Sequence, residues 1–581
     1  MSDVKKKFCN TPKEAVDDAL KGLVLGDDRL QFHKHNPRVI LRTDVGRLKD
    51  AERVTLAGGG GSGHEPFASG LVGKNSLTAA IAGDIFASPP SSHITDALET
   101  IQSSAGTLLF VINYTGDRLH FGMAIERSKS KLGNDAKLDL IYIDDDVALE
   151  SKLKSTTGGR GLAGALFTLQ IAGVMAEEFG AKFEDIRDTA RKVVENIGTF
   201  GVSLYPSALP NKPPMFTLGN DEMEWGLGIH GEPGCERSKL KSAKEIVNVV
   251  LERLVSSKRL NQSKKEPLAV LLNNLGATSQ LEMGVLQNEI IGWFLLIAKQ
   301  LPVNNGYQVP RFFSGTLMTS LDGHGFSVTI LKLVDEKWLK FLDTQSHISS
   351  LWKTTSPCSQ PIEVPRHSEF DETKTEIVGV EVQEDVADKI EKCLRNACKK
   401  IVEAEDHLNK LDSASGDGDC GSSLSSAGKA ILQAADSHRL KFTHPKSLSL
   451  QLSKICEHSV GGTSGALYAL FFGSASRTFE EKFGDGEVRS AIREGLKSIM
   501  YYGHAKPNHR TLVDPLNTAA EMASDAKWEE IVKKVEDSAK ATAQMEALSG
   551  RASYTSKDQQ KEPDPGAVGV AIWFRAAFEA L

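Results

Sequence analysis

The sequence contains no C-x-x-C pair, and its seven cysteines (Cys9, Cys235, Cys358, Cys393, Cys398, Cys420 and Cys456) are scattered and odd in number. That argues against a disulfide framework or a zinc site and suits a reducing compartment. Long apolar runs are missing as well. The longest, Trp293 to Ala298, is too short for a bilayer, and Met1–Lys7 leads into polar and acidic residues with no apolar signal segment. A cytoplasmic chain without membrane contact is expected. Nor is there a basic excess: the net charge is -7 with signs intermixed, so nucleic acid is not the expected partner. What is present is an ordinary globular balance, 40% apolar and 25% charged, in 581 residues. Single cores rarely grow past roughly 250–300 residues, so two or three are expected.

Up to about residue 340, short apolar runs alternate with helical patterns, as in α/β layering. The expected strands are Val54–Ala57, Leu77–Ile81, Thr107–Ile112 and Leu138–Ile143, then Leu268–Asn273, Trp293–Ala298 and Gly325–Lys332. Leu162–Phe179 and Phe183–Asn196 read as helices between two α/β subdomains. Several strands end in Gly, Asn or Asp, which puts loops where open α/β sheets bind ligands. Residues 344–382 carry Pro357, Pro361 and Pro365 without periodicity and read as a linker. From 383 the pattern is helical throughout, with Ser447–His458, Gly465–Phe479, Glu487–Tyr502, Trp528–Leu548 and Gly566–Ala580 as the clearest helices after the first.

Three carboxylates, Asp412, Asp417 and Asp419, fall within eight residues on a turn that contains Gly416 and Gly418. Such crowding calls for a cation, and magnesium takes a few carboxylates plus substrate phosphates. A calcium-binding EF-hand loop does not fit: counted from Asp417, the sixth position is Ser422 and the twelfth is Gly428, so the turn glycine and the bidentate glutamate are both absent. A solvated acidic turn is the plain alternative. Gly461-Gly462-Thr463-Ser464-Gly465 precedes a helix and offers N–H groups and hydroxyls to a phosphate, or simply a cap. Arg510-Thr511 and Asp564-Pro565-Gly566 lie on further polar loops of the helical region, and their convergence at one end is the functional argument.

In the first part, Gly58–Gly61 with Ser62, Gly63 and His64 follows a strand. It lacks the Gly-Lys-Thr/Ser of a phosphate loop and the spacing of a dinucleotide fingerprint, but permits close backbone approach to a small ligand. Asp117, in Asn113–Arg118, stands after another strand and is as suited to capping a helix as to accepting hydrogen bonds from a substrate. His230 is embedded in Gly226–Gly234 with little bulk to hide it. A neutral imidazole nitrogen can add to a ketone carbonyl to form a hemiaminal; the plain alternative is a hydrogen-bonded loop histidine.

Taken in order, GGGGSGHEP, NYTGDR, GLGIHGEPG, DSASGDGDCG, GGTSGALY, HRTLVDPL and GRASYTSKDQQKEPDPGA resemble the two-domain ATP-dependent dihydroxyacetone kinases of the triokinase/FMN cyclase kind, over nearly the whole chain. The resemblance implies an N-terminal ketose-binding domain at 9–343 made of two α/β subdomains, and a C-terminal ATP-binding domain at 383–581 forming an all-α eight-helix barrel. It implies glycerone kinase and triokinase activity on dihydroxyacetone and glyceraldehyde, and leaves open FAD-AMP lyase activity favoured by manganese. His230 is then the covalent ketose-binding residue; Gly61, Ser62, Gly63, His64 and Asp117 line the pocket, with His64 and Asp117 handling the hydroxyl proton. Asp412, Asp417 and Asp419 correspond to the magnesium ligands. Asp417, Gly418, Asp419, Cys420, Thr463, Ser464, Gly503, Thr511, Leu512, Asp564, Pro565 and Gly566 correspond to the nucleotide site. A homodimer is implied as well. The chain departs from many members at Ile112, where they carry lysine, and in Thr555–Glu562. A ketose-sensing or partner-binding protein in which catalysis has lapsed is the alternative, because related stand-alone ketose domains act as regulators.

Overall fold

The computed structural model describes residues 6–132, 136–150, 159–214, 216–260, 266–300, 307–356, 376–413, 418–460, 462–522, 524–549, 552 and 560–581. The chain divides into two compact units, Met1–Glu363 and Val364–Leu581.

The first unit holds two sheets. β1 (Leu30–His33), β2 (Asn36–Arg42), β3 (Thr55–Ser62), β4 (Ala79–Ile85), β5 (Thr107–Ile112) and β6 (Leu138–Ile143) lie in the order β1-β2-β4-β3-β5-β6. β3 runs parallel to β4 and β5, and β5 parallel to β6, so the carboxyl ends of β3 and β5 are neighbours. Around this sheet the chain forms α1 (Ala15–Gly26), α2 (Val45–Asp50), α3 (Ser91–Ile101) and α4 (Thr115–Leu132). Next come α5 (Ala165–Glu177) and α6 (Phe183–Glu195). Every residue of α5 from Ala165 to Ala176 is buried, as expected of a helix apolar on all sides.

The second sheet comprises β7 (Ile197–Tyr205), β8 (Glu222–Trp225), β9 (Glu236–Lys239), β10 (Leu268–Asn274), β11 (Arg311–Gly315), β12 (His324–Lys332) and β13 (Lys353–Thr355), ordered β13-β11-β10-β12-β7-β8-β9. α7 (Ala243–Ser256), α8 (Gln280–Gln300) and α9 (Glu336–Asp343) accompany it.

The fold corrects four expectations. Trp293–Ala298 lies inside α8, not in a strand. A short apolar run has no period of its own, and the helix formers on either side decide its state. The four glycines Gly58–Gly61 do not follow a strand but lie inside one, because β3 continues to Ser62. A side chain at Gly59 would sit 2.2 Å from the Ile81 carbonyl oxygen, so the close pairing of β3 with β4 requires glycine there. The expected linker does not begin at 344: Ile348 and Trp352 are buried in the core and β13 pairs with β11, so residues up to 355 belong to the first unit's fold. Finally, Trp528–Leu548 is helical only to Ala541, followed by a single tight turn at Thr542–Gln544. The three prolines of the expected linker lie outside the described residues.

The second unit is helical among its described residues. α10 (Glu384–Glu403) and α11 (Glu405–Asp412) are separated by Ala404 alone. They are followed by α12 (Cys420–Asp436), α13 (Pro445–Ser459), α14 (Gly462–Ala475), α15 (Asp485–Gly503), α16 (Val513–Glu521), α17 (Trp528–Ala541) and α18 (Pro565–Glu579). Successive helices from α12 to α18 pack on one another, and α10 packs on both α12 and α18, so eight helices close a ring while α11 lies against α12 and α18. Facing apolar residues such as Phe471, Leu496, Val532, Val570 and Phe574 fill part of it. Among the described residues no helix is long and apolar enough to cross a membrane.

Candidate functional site

In the first unit, the end of β3 delivers Ser62, Gly63 and His64, while the turn after β5 leads into α4 and places Asp117 in its first turn. His230 comes from the loop between β8 and β9. The rings of His64 and His230 meet edge to face at 5.0 Å between centroids. Phe86 stacks on His64 at 5.2 Å and presents its edge to His230 at 5.3 Å; Tyr114 closes another side of His230 at 4.4 Å. The three residues the sequence nominated from separate segments are thus drawn toward one pocket, with Gly60 of β3 beside the Asp117 carboxylate.

Burial sets the chemistry. His64 Nδ1 lies 2.8 Å from the Thr319 carbonyl oxygen, which can only accept, so Nδ1 carries the proton and Nε2 keeps its lone pair. Nε2 is buried without a hydrogen-bond partner, and so is Asp117 Oδ1. Desolvation pushes His64 down to about 3, with the neighbouring His230 adding to the effect, and pushes His230 down to about 4, with the Arg160 charge adding. Both imidazoles are therefore neutral at pH 7. Desolvation also raises Asp117 to about 6, against a hydrogen bond from Ser88 that opposes the rise. A neutral nucleophile, a free ring nitrogen and a carboxylate near its titration point suit addition to a carbonyl and removal of a hydroxyl proton. Gly61 and Ser62 play a more internal part than expected: Gly61 belongs to β3, and the Ser62 hydroxyl donates to the Gly83 carbonyl at 2.8 Å. Ile112 is buried in the core.

The second unit gathers its polar groups at the ends of α11, α12, α15 and α18. Asp412 Oδ2 accepts from the backbone N–H groups of Asp419 (3.0 Å) and Cys420 (3.2 Å), tying the start of α12 to the end of α11. Asp564 caps α18 by accepting from the Ala567 N–H at 2.8 Å, an arrangement worth about 1 kcal/mol to a helix. Burial raises Asp564 to about 6, with Asp514 and Asp412 adding and the Arg510 charge opposing. Burial, Asp564, Asp412 and Asp419 together push the Cys420 thiol up to about 12. These residues are therefore neighbours, and Leu512 touches the same corner through Gly566. Thr463 and Ser464 open α14, and Gly503, the last residue of α15, faces Leu467 of that helix. Thr511 donates its backbone N–H to Asp514 at 2.7 Å.

Among the described residues no group of three His, Cys, Asp or Glu side chains is set to hold a metal ion. Asp417, the third expected ligand, lies outside them. The donor set nevertheless fits a hard cation: Asp412 and Asp419 offer carboxylate oxygens, while the one thiol nearby stays protonated and does not compete as a soft ligand.

Sequence reasoning missed Phe86, Tyr114, Arg160 and Glu232 as parts of the first pocket. Tyr114 and Glu232 stood inside motifs already singled out; Phe86 and Arg160 arrive by the fold and carry no local signal. It also missed a groove of about 760 Å³ lined by Ala466, Leu470 and Gly473 of α14 and by the exposed Tyr501 and Tyr502 of α15.

Residues 21–350 match the Dak1 domain and residues 414–579 the DAK2 domain. The chain is 37% identical to the triokinase/FMN cyclase of Mus musculus over 99% of both chains, and 33% identical to the dihydroxyacetone kinase of Komagataella pastoris over 92% of this chain and 93% of the other. The crystal structure of the C. freundii dihydroxyacetone kinase in complex with AMP-PNP and Mg2+ superposes with a TM-score of 0.68 at 28% identity, covering 99% of this chain and 100% of that one. A two-domain protein, α/β then helical, is the architecture shared with the solved dihydroxyacetone kinase. The chain belongs to the dihydroxyacetone kinase family.

Proposed function

We propose that this chain transfers the γ-phosphoryl group of ATP to dihydroxyacetone, and to glyceraldehyde, with the acceptor held on His230. The observation that carries this reading is the neutral, walled imidazole of His230, together with the free Nε2 of His64 and the buried Asp117, whose carboxyl is raised to about 6. The ring nitrogen supplies the electron pair for an N–C bond to the carbonyl carbon; the C=O electrons pass to oxygen, which takes up a proton as the other ring nitrogen gives one up, leaving a neutral hemiaminal. A polyol such as glycerol has no carbonyl to capture. The terminal hydroxyl, oriented by His64 Nε2, gives its proton to the Asp117 carboxylate as its oxygen attacks phosphorus and ADP leaves. On the helical unit, Asp412, Asp417 and Asp419 would hold magnesium. Bound there, the metal neutralises charge on the phosphates and orients the donor. Gly418, Cys420, Thr463, Ser464, Gly503, Thr511, Leu512 and Asp564–Gly566 would hold the nucleotide. The match to relatives named as kinases in both halves supports this reading over a lapsed, sensing role.

The test is ADP release coupled to a reporter enzyme, with magnesium, ATP and each triose. Ketose-dependent turnover is expected, together with a protein-plus-ketose mass in intact-mass spectrometry. Folded protein with no triose-dependent ADP release would overturn the reading.

A second reading is favoured by the groove along α14 and α15, which begins two residues beyond Ser464 and ends beside Gly503. Extending from those two nucleotide-site residues, it would suit a ligand larger than ATP, in keeping with relatives named triokinase/FMN cyclase. Cleavage of FAD to AMP and a riboflavin cyclic phosphate, supported by manganese, is the activity proposed. It requires Asp419 and not His230, so FAD cleavage surviving in Asp419→Ala would sink it.

A further inference from the structure

A histidine on a glycine-rich loop is a poor nucleophile unless something fixes it. The loop Gly226–Gly231 begins and ends in the left-handed region, at φ +66° for Gly226 and φ +74° for Gly231, and has no regular structure of its own. Left to itself it would allow the imidazole many directions, and catalytic capture depends on one.

We propose that Glu232 is the positioning residue of the ketose-capturing histidine, its carboxylate folded back beneath the loop and tethered through Arg160 to the sheet. This deepens the reading of His230 as the carbonyl-binding group and rests on it. Glu232 Oε2 accepts the backbone N–H of His230 itself at 2.8 Å. Oε1 accepts the Tyr114 hydroxyl at 3.3 Å, and the Tyr114 ring is the wall nearest the imidazole. The carboxylate occupies the space a side chain at residue 228 would need, since a Cβ on Gly228 would lie 1.7 Å from Oε1. The glycine pattern before His230 thus makes room for the glutamate after it.

Arg160 completes the tether. Its Nη1 lies 3.6 Å from Glu232 Oε1 and its Nη2 donates to the Gly226 carbonyl at 2.6 Å, so one guanidinium grips both ends of the loop. Its Nε donates to Asp146 Oδ2 at 2.7 Å. The Asp146 side chain is 1% exposed and its other oxygen accepts from the Ala148 N–H at 2.8 Å, just beyond β6. A continuous path of charge-assisted contacts therefore runs from the end of β6 to the backbone of the nucleophile. Both Glu232 oxygens are committed to protein groups, which makes the residue an organiser of His230 and not a proton carrier. The carboxylate also offsets the Arg160 charge, whose direction of action on His230 is to withdraw basicity.

The experiment compares wild type, Glu232→Gln and Glu232→Ala by titrating dihydroxyacetone and measuring the adduct by intact mass, with kcat and KM from ADP release and the melting temperature as a control. Glu232→Gln keeps the volume and an acceptor for the His230 N–H, so it is expected to melt like wild type. The adduct dissociation constant and KM are expected to rise about tenfold in Glu232→Gln and about a hundredfold in Glu232→Ala, with kcat at saturating ketose within about threefold of wild type. That graded loss, confined to capture, separates positioning from a merely structural role. If wild type forms the adduct and Glu232→Gln and Glu232→Ala match it within twofold, the positioning role is wrong while the His230 reading stands. If wild type forms no adduct, both fall.

Discussion

His230 and His64, walled by Phe86 and Tyr114, and Asp117 lie beyond the carboxyl ends of strands, whereas Asp412, half-buried, ends α11 and Asp419 stands exposed just before α12. The first region strips water from its titratable groups and moves each toward its neutral form. The second also buries Asp564 and Cys420 and raises both, but leaves Asp412 half-buried and Asp419 in solvent. Under the proposed function the difference follows from the two jobs. A nucleophilic imidazole must be uncharged and held in one direction, which burial and aromatic walls accomplish. A metal–nucleotide corner must attract and release a highly charged ligand, which open carboxylates on loops accomplish.

The sharpest way to break this comparison is to disable one region and read the other. Asp419→Ala is expected to lower ketose-dependent ADP release about 10³-fold while intact-mass spectrometry still detects the ketose adduct. Loss of the adduct as well would mean that the regions are not separate. His230→Ala reverses the pattern: the adduct disappears and kcat/KM for dihydroxyacetone falls about 10²-fold, with nucleotide binding by calorimetry unchanged.

Asp117→Asn sharpens the role of burial. Its carboxyl is raised from 3.8 to about 6 in the folded protein, so at pH 7 it is held ionised at a cost of about 3 kcal/mol relative to the unfolded chain. The folded state binds the extra proton between those values, so this cost grows as pH rises from about 4 to about 6 and is absent below. The asparagine variant should therefore be more stable than wild type at pH 7, by up to about 3 kcal/mol in denaturant unfolding, and no more stable at pH 3.5, while turnover is lost. In wild type, turnover should rise with pH through about 6. Equal stabilisation at both pH values would show that the gain has another origin. The smallest effect is expected from Gly59→Ala, whose methyl meets the Ile81 carbonyl: about 2 kcal/mol of stability, with the helical unit's nucleotide binding unaffected.

Much of the fold is legible in the order and spacing of residues. β5 and β6 begin and end at the expected residues, Thr107–Ile112 and Leu138–Ile143: β5 is a fully buried apolar block, and β6, at the sheet edge, is a short apolar run interrupted only by Asp139. The expectation for Trp293–Ala298 failed because the same kind of block also occurs within α8, and only the surrounding packing distinguishes the two. β7 was missed because Ile197–Tyr205 mixes glycine, threonine and serine with its apolar residues; all but its last two positions are buried between β12 and β8. The glycine run stands out as important, but its place inside β3 depends on Ile81, a residue on another strand.

The sequence by itself determined the chemistry available: imidazoles set among glycines, a cluster of aspartates on a turn, and the order in which they occur along the chain. These are local properties, fixed by residue type and spacing. The tertiary structure alone decided how those groups behave. Desolvation of His230 depends on Phe86 and Tyr114, the free nitrogen of His64 depends on the Thr319 carbonyl, and the anchoring of the His230 loop depends on Arg160 and Asp146. All of those partners are distant in sequence, and burial and contact are properties of the folded chain as a whole.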